Sequence, residues 1–264
     1  MRLGIILLVL IGQDKKPEQT IREAIKQYES STIRLQVKTA YHAIDMKGFQ
    51  KKTLCALRGS GQITSRMPYL TNAYGDKNDL EFYSQTERAL VTIKNDKFKG
   101  GWVEPTQIGG EDGVVTACIR NVGVMLGEIE WGLAAVKTLE PGVFECPLAA
   151  EQKVEVIRRL VAQHGEGRKH ANAGALKSVL DVKATQVIYK GWIAEGKLQK
   201  IEKKVQIELK PEIRELLKMT GKAGAFDVPV LDFFSGLWTV DFTQHGEPET
   251  WDVPKDVKAR LGLR

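Results

Sequence analysis

Between Gly236 and Pro254, Trp238, Val240 and Phe242 fall on one face at period two, with Thr239 and Asp241 on the other. The polar stretch Gln244 to Glu247, centred on Gly246, reads as a turn, and Trp251 and Val253 resume the apolar face against Thr250 and Asp252. The pattern predicts a β-hairpin with one large aromatic face. Helical spacing governs other stretches. Ile21, Ala24, Ile25 and Tyr28 form a stripe within Glu18 to Ser31, with Thr20 available as a cap. Cys118, Val122, Met125, Leu126, Ile129, Leu133 and Val136 form a second stripe within Gly113 to Leu139. Gly123, Gly127 and Gly132 interrupt that stripe, so it predicts a bent helix or two short ones. A third helix is expected over Ala149 to Gln163 through Val154, Ile157, Leu160 and Val161. Pro211, Glu212, Ile213, Leu216 and Leu217, followed by Gly221, read as a short helix with a proline start and a glycine stop.

From Thr32 to Pro105 the period changes to two. Ile33, Leu35 and Val37 alternate with Arg34, Gln36 and Lys38, and glycines punctuate the run as in an antiparallel meander. Val182 to Ile193 and Val205 to Leu209 read as further strands, and the lysine-rich Lys197 to Lys204 as an exposed strand or ribbon edge. The order is helix, strands, helices, strands, without the strand-helix alternation of a parallel sheet. That order predicts an α+β fold: one curved antiparallel sheet with helices packed on its concave face.

The first twelve residues add a compartment to this picture. Arg2 is followed by an apolar run to Ile11 and then by Gln13, Asp14, Lys15, Lys16 and Pro17. The run is about half the length a spanning helix needs, and its shape is that of a signal peptide over 1–14. Export to the periplasm or the medium is therefore expected. With 39 basic and 33 acidic residues, well scattered, the net charge of +6 reads as a mixed solvated surface and not a nucleic-acid face. Cys55, Cys118 and Cys146 are widely spaced and lack a Cys-x-x-Cys pair, which excludes a zinc ribbon or a thioredoxin-type motif. Buried free thiols are the expected state, with a Cys118–Cys146 pair in an oxidising compartment as the alternative.

Candidate chemistry is sparse. His42, His164, His170 and His245 show no helical metal-site spacing, so no metal is expected. Arg58-Gly59-Ser60-Gly61 lacks the order of a nucleophile elbow and reads as a turn or bulge. Thr220 to Ala225 has the wrong order for a phosphate loop, and no dinucleotide fingerprint is present, so no cofactor is expected. The carboxylate pairs Glu128 with Glu130 and Asp76 with Asp79 read as solvated faces. No catalytic residue is assigned. The aromatic residues say more: Trp102, Trp131, Trp192, Trp238 and Trp251 fall in or beside predicted elements, where they either fill a core or line an apolar cavity between sheet and helices.

The stretch Trp238 to Pro248 resembles the closing strand and Asp-Phe-x-x-x-Gly-x-Pro turn of the LolA-like and LppX-like carriers of the bacterial outer-membrane lipoprotein-carrier superfamily. Val253 to Leu263 is similar to the short tail of many members, and Val187-Ile-Tyr-Lys-Gly-Trp to a Tyr-x-Gly strand of the family. The resemblance implies a single LolA-like domain over 18–264, built as an incomplete β-barrel with helices closing an apolar cavity. The absence of a lipobox marks it as a soluble form. The expected activity is non-enzymatic: a cell-envelope protein that binds or carries a lipid or the acyl chains of a lipoprotein, with contact at a membrane surface and no nucleic acid. Trp102, Trp131, Trp192, Trp238 and Phe242 are the expected cavity residues. An envelope scaffold or interaction protein without a ligand is the alternative, and a hydrolase a more distant one.

Overall fold

A computed structural model describes residues 16–30, 33–45, 50–64, 67–74, 79–85, 88–94, 101–104, 107, 122–162, 172–220, 235–245 and 253–262. The expected signal peptide, Cys118, His164, His170 and Trp251 lie outside them. The chain opens with α1 (Pro17–Ser30). Its stripe of Ile21, Ala24 and Ile25 is buried, and the helix begins at Pro17 rather than at a Thr20 cap, since a proline at the first helical position lacks only a donor that no carbonyl would use. A meander of five strands follows: β1 (Ile33–Asp45), β2 (Gln50–Thr64), β3 (Met67–Tyr74), β4 (Asp79–Gln85) and β5 (Arg88–Lys94).

The glycine-interrupted stripe forms α2 (Val122–Gly132), which ends in a single 3-10 turn over Leu133–Ala135. The chain then leaves the helical path as β6 (Lys137–Glu140) and β7 (Val143–Pro147), joined through Gly142 at φ +77°. The amphipathic α3 (Ala150–Ala162) and the short α4 (Ala173–Val179) follow, the latter capped by the Asn172 side chain, which accepts from the Gly174 amide at 2.7 Å. Next come β8 (Gln186–Ala194), β9 (Lys197–Gln206), α5 (Pro211–Thr220), β10 (Ser235–His245) and α6 (Lys255–Leu261).

The strands make one ten-stranded antiparallel sheet in the order β5-β4-β3-β2-β1-β10-β9-β8-β7-β6. It is open: β5 and β6 are its edges, and it does not close into a barrel. The fold is α+β, with helices on the concave face of this sheet. Ile21 and Ile25 of α1, Met125, Leu126 and Ile129 of α2, and Val154, Val156 and Ile157 of α3 share one buried cluster with Val187, Ile201, Val205, Trp238, Val240 and Phe242 of the sheet. Each such large apolar side chain taken from water contributes about 1.5–3 kcal/mol, which holds the helices to the sheet. A smaller cluster joins Tyr83 and Leu90 to Val253, Val257 and Leu261, with Trp102 packed against it. Among the described residues no helix is long and apolar enough to cross a membrane.

One expectation is corrected here and another is reached only in part. The strand β10 pairs with β1 along its length and with β9 over Ser235–Asp241, and the expected turn and second arm of its hairpin, up to Asp252, lie outside the described residues. Val253 buries against Tyr83 and Leu90 at the start of α6. Lys197 to Lys204 is not an exposed edge: β9 lies between β10 and β8 near the middle of the sheet. It is joined to β8 by a two-residue turn in which Glu195 (φ 52°) and Gly196 (φ 73°) are both left-handed, the twist that tight hairpins favour.

Candidate functional site

Three neighbouring strands set Tyr189, Lys203 and Trp238 directly opposite one another. Tyr189 pairs with Lys203 across β8 and β9, and Lys203 with Trp238 across β9 and β10. The alternation of β8 and β9 sends all three to the helix-covered face, along with Val187, Ile201 and Val205. Trp238 lies flat because its neighbour two residues back has no side chain: a Cβ at Gly236 would stand 2.6 Å from the indole Cη2. Gly191 does the same for Phe144, whose ring occupies the place a Cβ would take.

Glu128 of α2 points down onto this row. Its Oε2 accepts hydrogen bonds from Tyr189 Oη and from Lys203 Nζ, the latter at 2.6 Å. Lys203 and Glu128 are both 0 % exposed. The ammonium also stands 5.3 Å from the Tyr189 ring centroid and 5.4 Å from that of Trp238, within reach of both π faces. A buried lysine and a buried glutamate are tolerated only as a pair, since each alone carries a desolvation penalty of several kcal/mol. The reading of Glu128 and Glu130 as a solvated face is thus corrected for Glu128: Glu130 is exposed, whereas Glu128 stands on the same side of α2 as Met125 and Ile129. The charge itself was the signal, a lone glutamate on an apolar stripe and a lone lysine in phase with Ile201, Val205, Ile207 and Leu209.

The five aromatic candidates separate into several places. Trp238 and Phe242 are 1 % and 3 % exposed and lie two turns of the pleat apart on the inner face of β10, packed in the main core. Trp131, at the end of α2, is partly buried against the same core beneath the Arg159 guanidinium, 4.7 Å from the ring centroid. Trp102 belongs to the smaller cluster, edge-on to Tyr83 with centroids 5.0 Å apart, and its carbonyl accepts from Arg260. Trp192 is corrected outright as an inner-face residue. It falls in the opposite phase of β8 from Tyr189, on the outer face, held between Lys190 and Lys200 at 4.9 and 4.6 Å. Only Trp238 and Phe242 therefore share a surface with the buried ion pair.

A separate open groove of about 510 Å³ runs between α3, α4 and the start of α5. Its lining mixes aliphatic side chains such as Val154, Leu180 and Val182 with charged ones: Lys177 bonds Glu151 at 2.6 Å, and Lys210 Nζ donates to the Ser178 carbonyl at 2.9 Å. None of the five aromatic candidates lines it. Cys146, in register with Tyr189, is a buried free thiol whose pKa is pushed up to about 12 by burial and by the charge of Glu145, so it is not a thiolate near neutral pH. His245, at the end of β10, is held below the usual imidazole range by partial burial and by Lys197. No group of three His, Cys, Asp or Glu among the described residues is placed to hold a metal ion. No protein-family model matches the chain, and no curated protein matches its sequence.

Proposed function

We propose that this is a non-enzymatic protein of the bacterial cell envelope, LolA-like in kind, that binds or carries a lipid or lipidated segment between its sheet and α2. The observation that carries this reading is the way an apolar sheet face is covered. Among the described residues, the face around Trp238, Phe144, Ile201 and Val240 is covered by helices α1, α2 and α3 and not by a second sheet, and α2 is the eleven-residue member of the three. That helix contains Gly123, Gly127 and Gly132, each of which costs about 1 kcal/mol of helix stability relative to alanine. A Cβ at Gly127 would meet nothing within 4 Å, whereas one at Gly132 would press on Cys146 and Leu148 at 3.1 Å. The helix is thus close-packed at its C-terminal end, and Gly127 faces open space while Met125, Leu126, Glu128 and Ile129 around it are buried.

Capture would proceed by displacement of α2, with an acyl chain taking its place on the sheet. Each methylene so buried contributes about 0.8 kcal/mol, so a chain of ten or more carbons matches the apolar packing it replaces. No covalent step is involved. The leader-like run before Gln13 supports a periplasmic or secreted location. Native mass spectrometry of the protein purified from a bacterial envelope fraction tests the proposal. Lipid-mass adducts are expected; recovery only as apo-protein, with lipid extracts shifting neither its mass nor its melting temperature, would refute it.

A further inference from the structure

We infer that the outer face of the sheet, across β8, β9 and β10, is a docking surface for an anionic lipid bilayer. This goes beyond the reading above, because the face lies on the opposite side of these strands from α2 and the apolar side chains that α2 covers. Strand pairing sets its residues in three rows. Ile188, Lys204 and Leu237 stand opposite one another in the first, Lys190, Glu202 and Thr239 in the second, and Trp192, Lys200 and Asp241 in the third. These positions alternate with the buried ones of the same strands, such as Val187, Ile201 and Val240. The side of a sheet that faces water is ordinarily polar. Here the first row is apolar apart from Lys204, and Leu237 is 43 % exposed. The register continues that row with Pro147 on β7 and with Ala40 and Ala56 on β1 and β2.

The charge of the face identifies the partner. Lys204 is exposed and directly opposite Leu237, while the register sets Lys38 opposite Thr239 and Arg58 opposite Lys38. Lys190 and Lys200 add to these cations. Against them stand Glu145, Glu202 and Asp241, and Glu202 is already bonded by Lys200 at 2.7 Å. The excess is positive and surrounds an exposed leucine. Trp192 completes the surface, its ring partly exposed with the Lys190 and Lys200 ammonium groups 4.9 and 4.6 Å from the centroid. An indole beside lysines suits a bilayer interface, where the ring and the lysine stems meet the acyl boundary and the ammonium groups meet phosphates. The apolar atoms are spread over an open sheet face, and none of these residues lines the groove between α3, α4 and α5. A broad anionic surface fits that layout better than a single acidic chain. Each lysine close to an anionic leaflet is worth about fivefold in partition, so reversing one should cost about tenfold or more.

Co-sedimentation of the full chain with vesicles of mixed phosphatidylglycerol and phosphatidylcholine, and with vesicles of phosphatidylcholine alone, tests the inference. Binding is expected to the mixed vesicles only, and to weaken steeply between about 50 and 500 mM salt. Lys204→Glu should lower it about tenfold or more and Leu237→Ser several-fold, both without moving the melting temperature, since both side chains are exposed. Should Lys204→Glu fail to fold, Lys204→Gln keeps the test, at about fivefold. Met219→Ser, on the 83 % exposed methionine of α5, should leave binding unchanged. Equal binding to both kinds of vesicle, undiminished binding by the Lys204 variants, or binding that depends on Met219 and not on Leu237 overturns the assignment of this face. Binding to soluble polyglutamate but not to vesicles would make the partner an acidic protein and overturn the bilayer. Vesicle binding without any lipid retained in native mass spectrometry supports the docking face and counts against the carrier reading; retained lipid without vesicle binding does the reverse.

Discussion

Removing one member of the buried pair has a magnitude that follows from the structure. At 2.6 Å, with an effective dielectric constant of about 20, the attraction between Lys203 and Glu128 is about 6 kcal/mol, offset by the cost of taking both groups out of water. The net worth of the pair is small, but Lys203→Met leaves the buried Glu128 carboxylate without its ammonium partner, and such half-broken pairs cost about 3–5 kcal/mol. At about 2–4 °C per kcal/mol for a domain approaching this size, the melting temperature should fall by about 6–20 °C. Replacing both charges is different in kind. In Glu128→Leu with Lys203→Met no charge is left behind, but the Tyr189 hydroxyl loses its acceptor, at about 1–3 kcal/mol. Adding Tyr189→Phe should bring stability back to within about 2 kcal/mol of wild type. Urea melts followed by tryptophan fluorescence give the cycle of single, double and triple variants, and near-UV circular dichroism reports whether Trp238 keeps a fixed environment. Single substitutions that each cost less than about 1 kcal/mol and add without coupling would show the pair to be solvated, and the reasoning wrong.

Three further outcomes test the local physics. Glu195→Asn should stabilise the β8–β9 hairpin by about 0.5–1 kcal/mol, since Asn-Gly suits two successive left-handed residues better than Glu-Gly; an unchanged or lower urea midpoint would contradict this. Gly191→Ala should destabilise by about 1–3 kcal/mol because its Cβ meets the Phe144 ring, and Phe144→Leu in the same chain should recover part of the loss in a thermal melt; additive costs would place the strain elsewhere. Glu155 is held down to about 2, first by its hydrogen bonds from Arg158 and then by those from Arg159. Its folded pKa lies below the unfolded one, so its stabilisation is present above about pH 4.5 and fades as pH falls toward 2. The group is one-third exposed, which limits the effect to about 1 kcal/mol. Glu155→Gln should accordingly melt slightly below wild type at pH 6 and level with it near pH 2; a constant gap across that range would refute the assignment.

The sequence pattern carried the regular elements further than the site. Helices α1 and α3 and strand β10 were legible because each buries one face in the core, and burial on one face is what periodicity records; α5 was legible from its proline start, although Leu216 and Met219 are exposed. The lysines of β9 misled because composition was weighed over phase. Four lysines in eight residues suggest an edge, yet Lys203 shares its inward phase with Ile201 and Val205, and β9 is paired on both sides, by β8 and β10. Of the expected second arm only Val253 is described, and it leads through Pro254 into α6. The ion pair was not legible from either residue alone. A glutamate on the apolar stripe of a helix and a lysine in an apolar strand phase, 75 residues apart, become interpretable only once both are known to face the same layer.

That separation also explains why a charge pair belongs in this core. The α2 sequence is apolar on nearly every side, with Val122, Val124, Met125, Leu126, Ile129 and Trp131 among eleven residues, so apolar burial by itself would accept several rotations and a shift by one turn. Glu128 removes that freedom, because only one placement brings its carboxylate to both Tyr189 and Lys203. On the sheet, a one-residue slip of β9 would turn Lys203 outward and carry Ile201 and Val205 to solvent with it, so the same pair penalises the wrong strand register. A cover helix weakened by three glycines is thereby returned to a single seat by one polar contact.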